Sequence, residues 1–332
     1  MKDALVVILP GIMGSELYDK RGERVWLNDD STGELFGVRE DILNLSMRRP
    51  LHAPRPVMNG RDGEGEIGVN NTYGSLYYRL STEFADDCDV MFFSYDFRLS
   101  PFRIAALFNR YTESYRKIIT VGHSMGGLIP KAYLFMGFGK GKRIYTISVG
   151  TPFLGCAEAA YVMLTGRFST GLVNFFISDR VKDAFITFDS AYYLLNPSDE
   201  GFIYMEGNEK PLPLTDILPK EMNNFKRKTY YKSDKFKRAD EILAKTDPVY
   251  IIGTGAQTAK ELIWKNNRWE RVYTALGDGT VTESSAAPYR PANVITVRSA
   301  GENIHTAMID GSLPHVTDAI SDLVKERLQR PQ

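Results

Sequence analysis

Cysteine is scarce in this sequence, where Cys88 and Cys156 are the two among 332 residues. Two cysteines cannot build a disulfide framework or a four-ligand zinc site. Both stand among apolar or small residues, so we expect them to serve as small buried hydrophobic side chains. Histidine is nearly as rare, with four in the chain, and no spacing of histidines and carboxylates matches a zinc-binding pattern. We therefore expect no metal and no organic cofactor.

The sequence also lacks a surplus of either charge and any long apolar run. The 41 Lys and Arg residues balance the 41 Asp and Glu residues, whereas a dedicated nucleic-acid binder usually carries a basic excess. No stretch approaches the roughly 20 apolar residues that span a bilayer. The apolar run at residues 4–9 is short and lacks a following cleavage site, so it predicts a buried strand rather than a signal peptide. We expect a cytoplasmic protein without a nucleic-acid partner.

Short apolar runs alternate with helical patterns along the chain. The runs predict fully buried parallel strands at residues 4–9, 90–94, 117–121, 143–149, 249–252 and 293–297. Amphipathic periodicity predicts helices at residues 73–85, 125–138 and 314–328. This alternation is typical of a doubly wound, mostly parallel α/β sheet. Two long stretches, residues 19–71 and 151–246, interrupt it, and we expect such long insertions to cap a site.

The pentapeptide GHSMG at residues 122–126 lies between a predicted strand and a predicted helix. In this context G-x-S-x-G predicts a nucleophile elbow, a sharp turn that lifts Ser124 above the sheet. Gly122 and Gly126 are needed there because a side chain would collide with the neighbouring strand and helix. The alternative is a tight turn without chemistry.

A serine nucleophile needs a base and a carboxylate that orients this base, and after such an elbow the chain order is Ser, acid, His. Asp278 in ALGDGTVT is the candidate acid, although Asp-Gly is also a common hairpin signal. His52 precedes the elbow, and His123 lies inside it with its side chain expected on the wrong side of the turn. His305 follows the last predicted strand and is the predicted base. His315, at the start of the final helix, is the alternative.

Two backbone amides are expected to stabilise the oxyanion of the reaction. The Met125 amide follows the serine near the positive end of the next helix. A second amide is expected from the turn after the first strand, LPGIMGS, where two glycines let an amide point inward. Ile12 is the predicted donor and Met13 the alternative. A nucleotide-binding loop is disfavoured here because no phosphate-loop or dinucleotide fingerprint is present.

Several motifs together resemble the lecithin:cholesterol acyltransferase family of α/β-hydrolases, which includes lysosomal phospholipase A2 and many microbial lipases. The matching pieces are ILPGIMGSEL, YDFR, GHSMGG, GTPFLGCAEAAYVMLTG, GDGTV, and IHTAM followed by HVTDAI. They span most of the chain in the family's order, although the family more often has Trp at Phe97. The cysteine pairs and the secretory start of the animal enzymes are missing, so their extracellular setting is not carried over.

The resemblance implies an α/β-hydrolase domain over residues 1–332 with cap insertions at about 19–71 and about 151–246. It implies an enzyme that hydrolyses or transfers acyl groups of lipid esters such as phospholipids through an acyl-enzyme. Ser124, Asp278 and His305 would form the triad, and the amides of Ile12 and Met125 the oxyanion hole. Rival functions are a short-chain carboxylesterase, a thioesterase, a peptidase and a non-catalytic ligand-binding module.

Two features of the second insertion fit a lipid ester substrate. Residues 168–195 are rich in aromatic and aliphatic side chains, which suit an acyl pocket, a transient contact with a membrane surface, or an ordinary subdomain core. Residues 226–238 carry seven Lys and Arg side chains interleaved with aromatic ones. This basic cluster suits anionic headgroups or a solvated charged face.

Overall fold

The computed structural model describes residues 2–26, 44–59, 72–167, 179–195, 201–212, 214–217, 236, 241–288 and 292–330. The strands within these ranges are β1 (Ala4–Leu9), β2 (Leu17–Tyr18), β3 (Arg24–Trp26), β4 (Val57–Met58), β5 (Asp89–Phe92), β6 (Lys117–His123), β7 (Arg143–Val149), β8 (Ile203–Met205), β9 (Val249–Thr254), β10 (Thr258–Lys265), β11 (Arg268–Thr274) and β12 (Val294–Arg298). The α-helices are α1 (Gly74–Glu83), α2 (Pro101–Thr112), α3 (Leu128–Phe135), α4 (Ala157–Thr165), α5 (Asp179–Phe185), α6 (Leu214–Ile217), α7 (Glu241–Ala244), α8 (Glu283–Ala286), α9 (Ala307–Asp310) and α10 (Pro314–Gln329).

The central sheet contains seven of the described strands in the order β12-β9-β7-β6-β1-β5-β4. Neighbouring strands are parallel, except that β4 runs antiparallel to β5 at the edge. The predicted doubly wound, mostly parallel sheet is confirmed. Because parallel strands end at one edge of a sheet, the loops after β1, β6, β7, β9 and β12 meet there.

Hydrophobic side chains cover both faces of this sheet. Along β1, Leu5, Val7 and Leu9 pack into one cluster with residues of α2, α3 and α4, whereas Val6 and Ile8 pack into a second cluster with residues of α1, α9 and α10. All five side chains are fully buried. Burial on both faces explains why the parallel strands read as continuous apolar runs rather than as alternating ones.

The helices depart from the sequence predictions in two places. The predicted helix at 125–138 begins instead with a 3₁₀ turn, Ser124–Gly127, and its α-helical part spans Leu128–Phe135. Gly126 and Gly127 explain why the α-helix begins three residues later than predicted, because Gly weakens an α-helix. Helix α2 was not predicted at all. Its start carries an ordinary signal, with Pro101 in the first turn and the Ser100 hydroxyl accepting the Arg103 amide at 3.4 Å.

A second sheet has three strands in the order β11-β10-β8. Strands β10 and β11 lie in the chain between β9 and Asp278, whereas β8 belongs to the second insertion. Its hairpin turns at Asn266 and Asn267, whose φ angles are 51° and 61°. Positive φ at both central residues is the geometry of a type I′ hairpin turn, which asparagine tolerates. This hairpin accounts for most of the 23 residues between the end of β9 and Asp278.

Several side chains in the described part of the second insertion belong to the core, whereas residues 205–210 are exposed. Val181, Phe188 and Tyr192 are at most 1% exposed and share one hydrophobic cluster with Leu5 and Val7 of β1. Residues 168–178 and, apart from residue 236, the basic cluster lie outside the described residues, as do 27–43 and 60–71 of the first insertion. The placement of the insertions as caps over a site stays a prediction.

The two cysteines differ in burial. Cys88 is buried as predicted, and burial raises the pKa of its thiol to about 12. Cys156, just before α4, is half-buried.

Within the described ranges, every helix is too short or too polar to cross a membrane.

Candidate active site

Ser124 lies at the end of the central strand β6 in a strained backbone conformation. Its φ of 51° falls in the left-handed region that non-glycine residues rarely adopt. A Cβ atom on Gly126 would come within 2.1 Å of the Leu9 carbonyl oxygen, and one on Gly122 within 2.6 Å of the Gly127 Cα. The predicted need for glycine at both positions is therefore confirmed, because β1 and the following turn leave no room for a side chain.

Asp278 and His305 meet at the same edge of the sheet. The Asp278 Oδ2 atom lies 2.7 Å from the His305 Nδ1 atom, and both side chains are buried. The other oxygen, Oδ1, accepts the backbone amides of Thr280 at 2.8 Å and Val281 at 2.7 Å. With the carboxylate accepting at Oδ2, Nδ1 of His305 carries the proton and Nε2 keeps the lone pair that a general base needs.

The Asp-Gly turn that the sequence offered as an alternative is also present. The Asp278 amide donates to the Val281 carbonyl at 3.1 Å, Gly277 bridges Thr282, and Gly279 has a φ of 99°. This tight turn holds the carboxylate in place. The same segment therefore forms the Asp-Gly turn and presents the candidate acid.

The four histidines occupy different environments. His52 and His315 are exposed, and His315 begins α10. His123 is buried, with its ring centroid 4.9 Å from that of His305. Its Nε2 atom lies 3.0 Å from the His305 carbonyl oxygen and its Nδ1 atom 2.9 Å from the Tyr73 hydroxyl. His305 is the histidine that is hydrogen-bonded to Asp278, and its role as the base stays a prediction.

Two glycines that the sequence analysis did not single out pack directly against this pair. A Cβ atom on Gly150, after β7, would lie 2.9 Å from Asp278 Oδ2 and 3.0 Å from His305 Nδ1. A Cβ atom on Gly253, near the end of β9, would lie 2.5 Å from Asp278 Cβ. A glycine at or just after the carboxyl end of a predicted parallel strand is the signal that points to such positions.

The turn after β1 lies against the serine. A Cβ atom on Gly11 would come within 2.9 Å of Ser124 Cβ, and the Gly14 amide closes the turn on the Gly11 carbonyl at 3.1 Å. Met13 adopts a φ of 63°, and its carbonyl accepts the Trp26 indole N–H at 2.9 Å. This turn carries Ile12, and the elbow carries Met125, so the segments of both predicted oxyanion donors adjoin Ser124.

Among the residues that the structure describes, no group of three or more His, Cys, Asp or Glu side chains is arranged to hold an ion. The histidine and carboxylate that lie together at the site are His305 and Asp278, and they are hydrogen-bonded to each other. A base oriented by a buried acid suits acyl transfer by a serine.

Comparison with known proteins gives a match in structure alone. No protein-family model matches the sequence, and no curated protein matches it. A chain of the Tle4–Tli4 complex aligns over 100% of both chains with a TM-score of 0.65 and 14% identity. Lipase BlEst2 of Bacillus licheniformis aligns at 15% identity over 95% of this chain and 91% of that chain, with a TM-score of 0.44.

These comparisons concern the fold. The Tle4 chain shares it over its full length at low identity, whereas the resemblance to the lecithin:cholesterol acyltransferase family stays an interpretation of sequence motifs. A mostly parallel sheet, with an elbow after its central strand and the acid and histidine in later loops, has the topology of α/β-hydrolases. The chain has an α/β-hydrolase fold.

Proposed function

We propose that this protein is a serine hydrolase that cleaves lipid esters through an acyl-enzyme intermediate. The observation that carries the proposal is the buried 2.7 Å contact between Asp278 Oδ2 and His305 Nδ1, at the edge of the sheet where the strained Ser124 follows β6. A surface turn without chemistry has no need for a buried acid and histidine beside it.

The reaction follows from the proton positions. Ser124 Oγ attacks the ester carbonyl carbon while His305 Nε2 takes the hydroxyl proton, and the Asp278 carboxylate stabilises the imidazolium that forms. The amides of Ile12 and Met125 donate to the oxyanion. The imidazolium then gives its proton to the leaving alcohol. Water repeats these steps on the acyl-enzyme, and a lipid alcohol in the same place would give acyl transfer, which we expect as the minor outcome.

The lipid class of the substrate rests on the motif resemblance and on the apolar character of the second insertion. The acyl chain would contact apolar side chains near the site, with transient contact at a membrane surface. A cytoplasmic location likewise stays a prediction.

A short-chain carboxylesterase is the second candidate. It is favoured by the burial of the described aromatic side chains of the second insertion, because a segment packed into the core is not free to bind a lipid surface. Initial rates on a series of esters with increasing acyl length separate the two candidates. A lipid esterase prefers long chains, and a carboxylesterase loses activity as the chain grows.

Replacement of the nucleophile tests the proposal itself. Ser124→Ala should abolish ester turnover and covalent labelling by a fluorophosphonate without changing the melting temperature. His305→Ala should lower turnover by about 10⁴-fold or more, as loss of a triad member does. His315→Ala is the matched control, since this histidine is exposed, and it should keep wild-type rates. Labelling of Ser124→Ala at the wild-type rate would contradict the assignment and leave a non-catalytic module as the better interpretation.

A further inference from the structure

A chain of hydrogen bonds crosses behind Ser124 and joins the two loops on which the proposed reaction depends. The Gly11 amide donates to the Tyr73 hydroxyl oxygen at 2.8 Å. That hydroxyl lies 2.9 Å from His123 Nδ1, and His123 Nε2 lies 3.0 Å from the His305 carbonyl oxygen. We call these two side chains the Tyr73–His123 bridge. At one end lies the turn that carries Ile12, and at the other the backbone of the proposed base.

The protons of the bridge have a single consistent arrangement. A carbonyl oxygen can only accept, so His123 Nε2 carries a proton and donates it to His305. Burial lowers the pKa of His123 to about 3, and the neighbouring His305 adds to this effect, so His123 is neutral and its Nδ1 accepts. The Tyr73 hydroxyl therefore donates to Nδ1, while its oxygen accepts the Gly11 amide. Burial raises the pKa of Tyr73, which keeps that hydroxyl protonated.

The bridge completes the anchoring of His305. The imidazole is held by Asp278, and the backbone amide donates to Asn303 Oδ1 at 3.0 Å. The carbonyl is held by His123. On the opposite side, Gly11 is held by Tyr73 while its Cα faces Ser124 Cβ. Every member of the bridge is buried, so water does not replace a lost contact easily.

Resting on the proposed hydrolase function, we propose that Tyr73 and His123 are positioning residues, which set the distance between the oxyanion turn and the general base. They take no part in proton transfer to substrate. Their loss should therefore lower kcat, because base and oxyanion donors shift relative to the serine, and leave KM nearly unchanged. A displacement of about 1 Å at a reacting centre costs on the order of 100-fold in rate.

The first test is Tyr73→Phe, which removes the hydroxyl at the centre of the bridge and keeps the ring. We expect kcat to fall about 10- to 100-fold, with KM within about twofold of wild type. Tyr115→Phe is the matched control: Tyr115 is also buried and donates to Asp89 Oδ2 at 2.9 Å, but it lies beyond the opposite end of β6 from Ser124. Tyr115→Phe should lower the melting temperature by about as much as Tyr73→Phe does, and it should leave kcat unchanged.

The second test asks whether hydrogen bonding, rather than bulk, is what His123 supplies. The side chain in His123→Gln can still donate to the His305 carbonyl and accept from Tyr73, whereas that in His123→Leu can do neither. We expect His123→Gln to retain a kcat within about tenfold of wild type and His123→Leu to lose about 100-fold. If His123→Leu does not fold, the comparison of Tyr73→Phe with Tyr115→Phe decides alone.

The outcomes separate this inference from the proposed function. If wild type is labelled by a fluorophosphonate and Ser124→Ala is not, the function stands. Wild-type kcat in Tyr73→Phe would then overturn the positioning role by itself. A rise in KM at constant kcat would also overturn it, because it would assign the bridge to substrate binding. Failure of wild type to react with the probe would instead contradict the function.

Discussion

At the residue scale, the site keeps two neighbouring histidines in different roles. The rings of His123 and His305 are 4.9 Å apart, yet His305 is paired with the Asp278 carboxylate and His123 is bonded to a hydroxyl and a carbonyl. The carboxylate orients the His305 ring, whereas burial among neutral partners disfavours a charged His123 ring. The base of the proposed reaction is therefore the histidine with the acid, and its neighbour stays neutral.

The neutrality of His123 makes the stability of the protein depend on pH. Burial and the adjacent His305 lower its pKa to about 3 in the folded state, while a histidine in an unfolded chain has a pKa of about 6.5. Between these values the unfolded state binds a proton that the folded state does not. The free energy of unfolding should thus decrease as the pH falls below about 6.5, by up to about 1.4 kcal/mol per pH unit from this group.

Urea unfolding of wild type and His123→Gln between pH 7 and pH 4.5 measures this contribution. As the pH falls, wild type should lose more unfolding free energy than His123→Gln does, because only wild type has this histidine. Contributions from the other groups cancel in the difference between the two proteins. Two parallel pH profiles would show that His123 binds its second proton equally well in the folded and unfolded states, and would contradict the neutral His123 of the bridge.

At the element scale, the segment after β5 joins both insertions to the sheet. Arg98, which ends the YDFR motif, is 2% exposed and donates to both oxygens of Asp96 at 2.8 and 2.7 Å. It also donates to the carbonyls of Leu45, Ser46 and Arg49, each at 3.1 Å. Its own carbonyl accepts an amide of the second insertion. This guanidinium therefore helps to hold residues 45–49 of the first insertion, together with the buried Leu45 side chain and the Met47 amide, which donates to Thr187 Oγ1 at 2.9 Å.

Removal of this guanidinium should cost far more than removal of an exposed one. Arg98→Met leaves the Asp96 carboxylate and three carbonyls without their buried donor, so we expect a loss of about 3–5 kcal/mol in unfolding free energy. Arg79→Met is the control, since Arg79 pairs with Asp318 on the surface, and it should cost less than about 1 kcal/mol. Equal losses in chemical denaturation of the two variants would show that Arg98 does not hold the insertion.

At the scale of the whole molecule, the main sheet and the described second insertion share one core. Phe188 contacts Phe97 with ring centroids 6.2 Å apart, and Phe97 contacts Trp26 at 6.1 Å. Trp26 in turn donates to Met13 in the turn beside Ser124. A continuous series of contacts therefore connects the insertion to the site. The aromatic side chains in this series are buried rather than presented at the surface.

This shared core predicts how the protein responds to a lipid surface if it has the proposed activity. Exposure of a buried aromatic side chain costs about 4 to 6 kcal/mol, so the described segment should not open when micelles form. We expect the rate on a partly soluble ester to rise smoothly through its critical micelle concentration. An active-site titration with fluorophosphonate controls for the amount of competent enzyme. An abrupt rise of severalfold at that concentration would show that the described segment opens as a lid and would contradict this prediction.

Sequence reasoning by itself determined the features that depend on neighbouring residues. Buried parallel strands appear as continuous apolar runs because both of their faces are covered, so the main strands were found within a few residues. The elbow glycines were predictable because the pentapeptide dictates a tight turn between a strand and a helix. The pairing of Asp278 with His305 followed from chain order and from the small number of histidines.

Only the tertiary structure decided the features that join residues distant in sequence. In the Tyr73–His123 bridge, Tyr73 and His123 are 50 positions apart in the sequence, and His123 and His305 are 182 positions apart. Neither bridge side chain carries a local sequence pattern that marks such a contact. Gly150 stands against Asp278 and His305 because β7 lies beside β9 in the sheet. The sequence of the aromatic segment at residues 168–195 is compatible with either a lid or a core. Hydrophobicity predicts that a side chain will be buried, but only the packed fold determines which residues bury it.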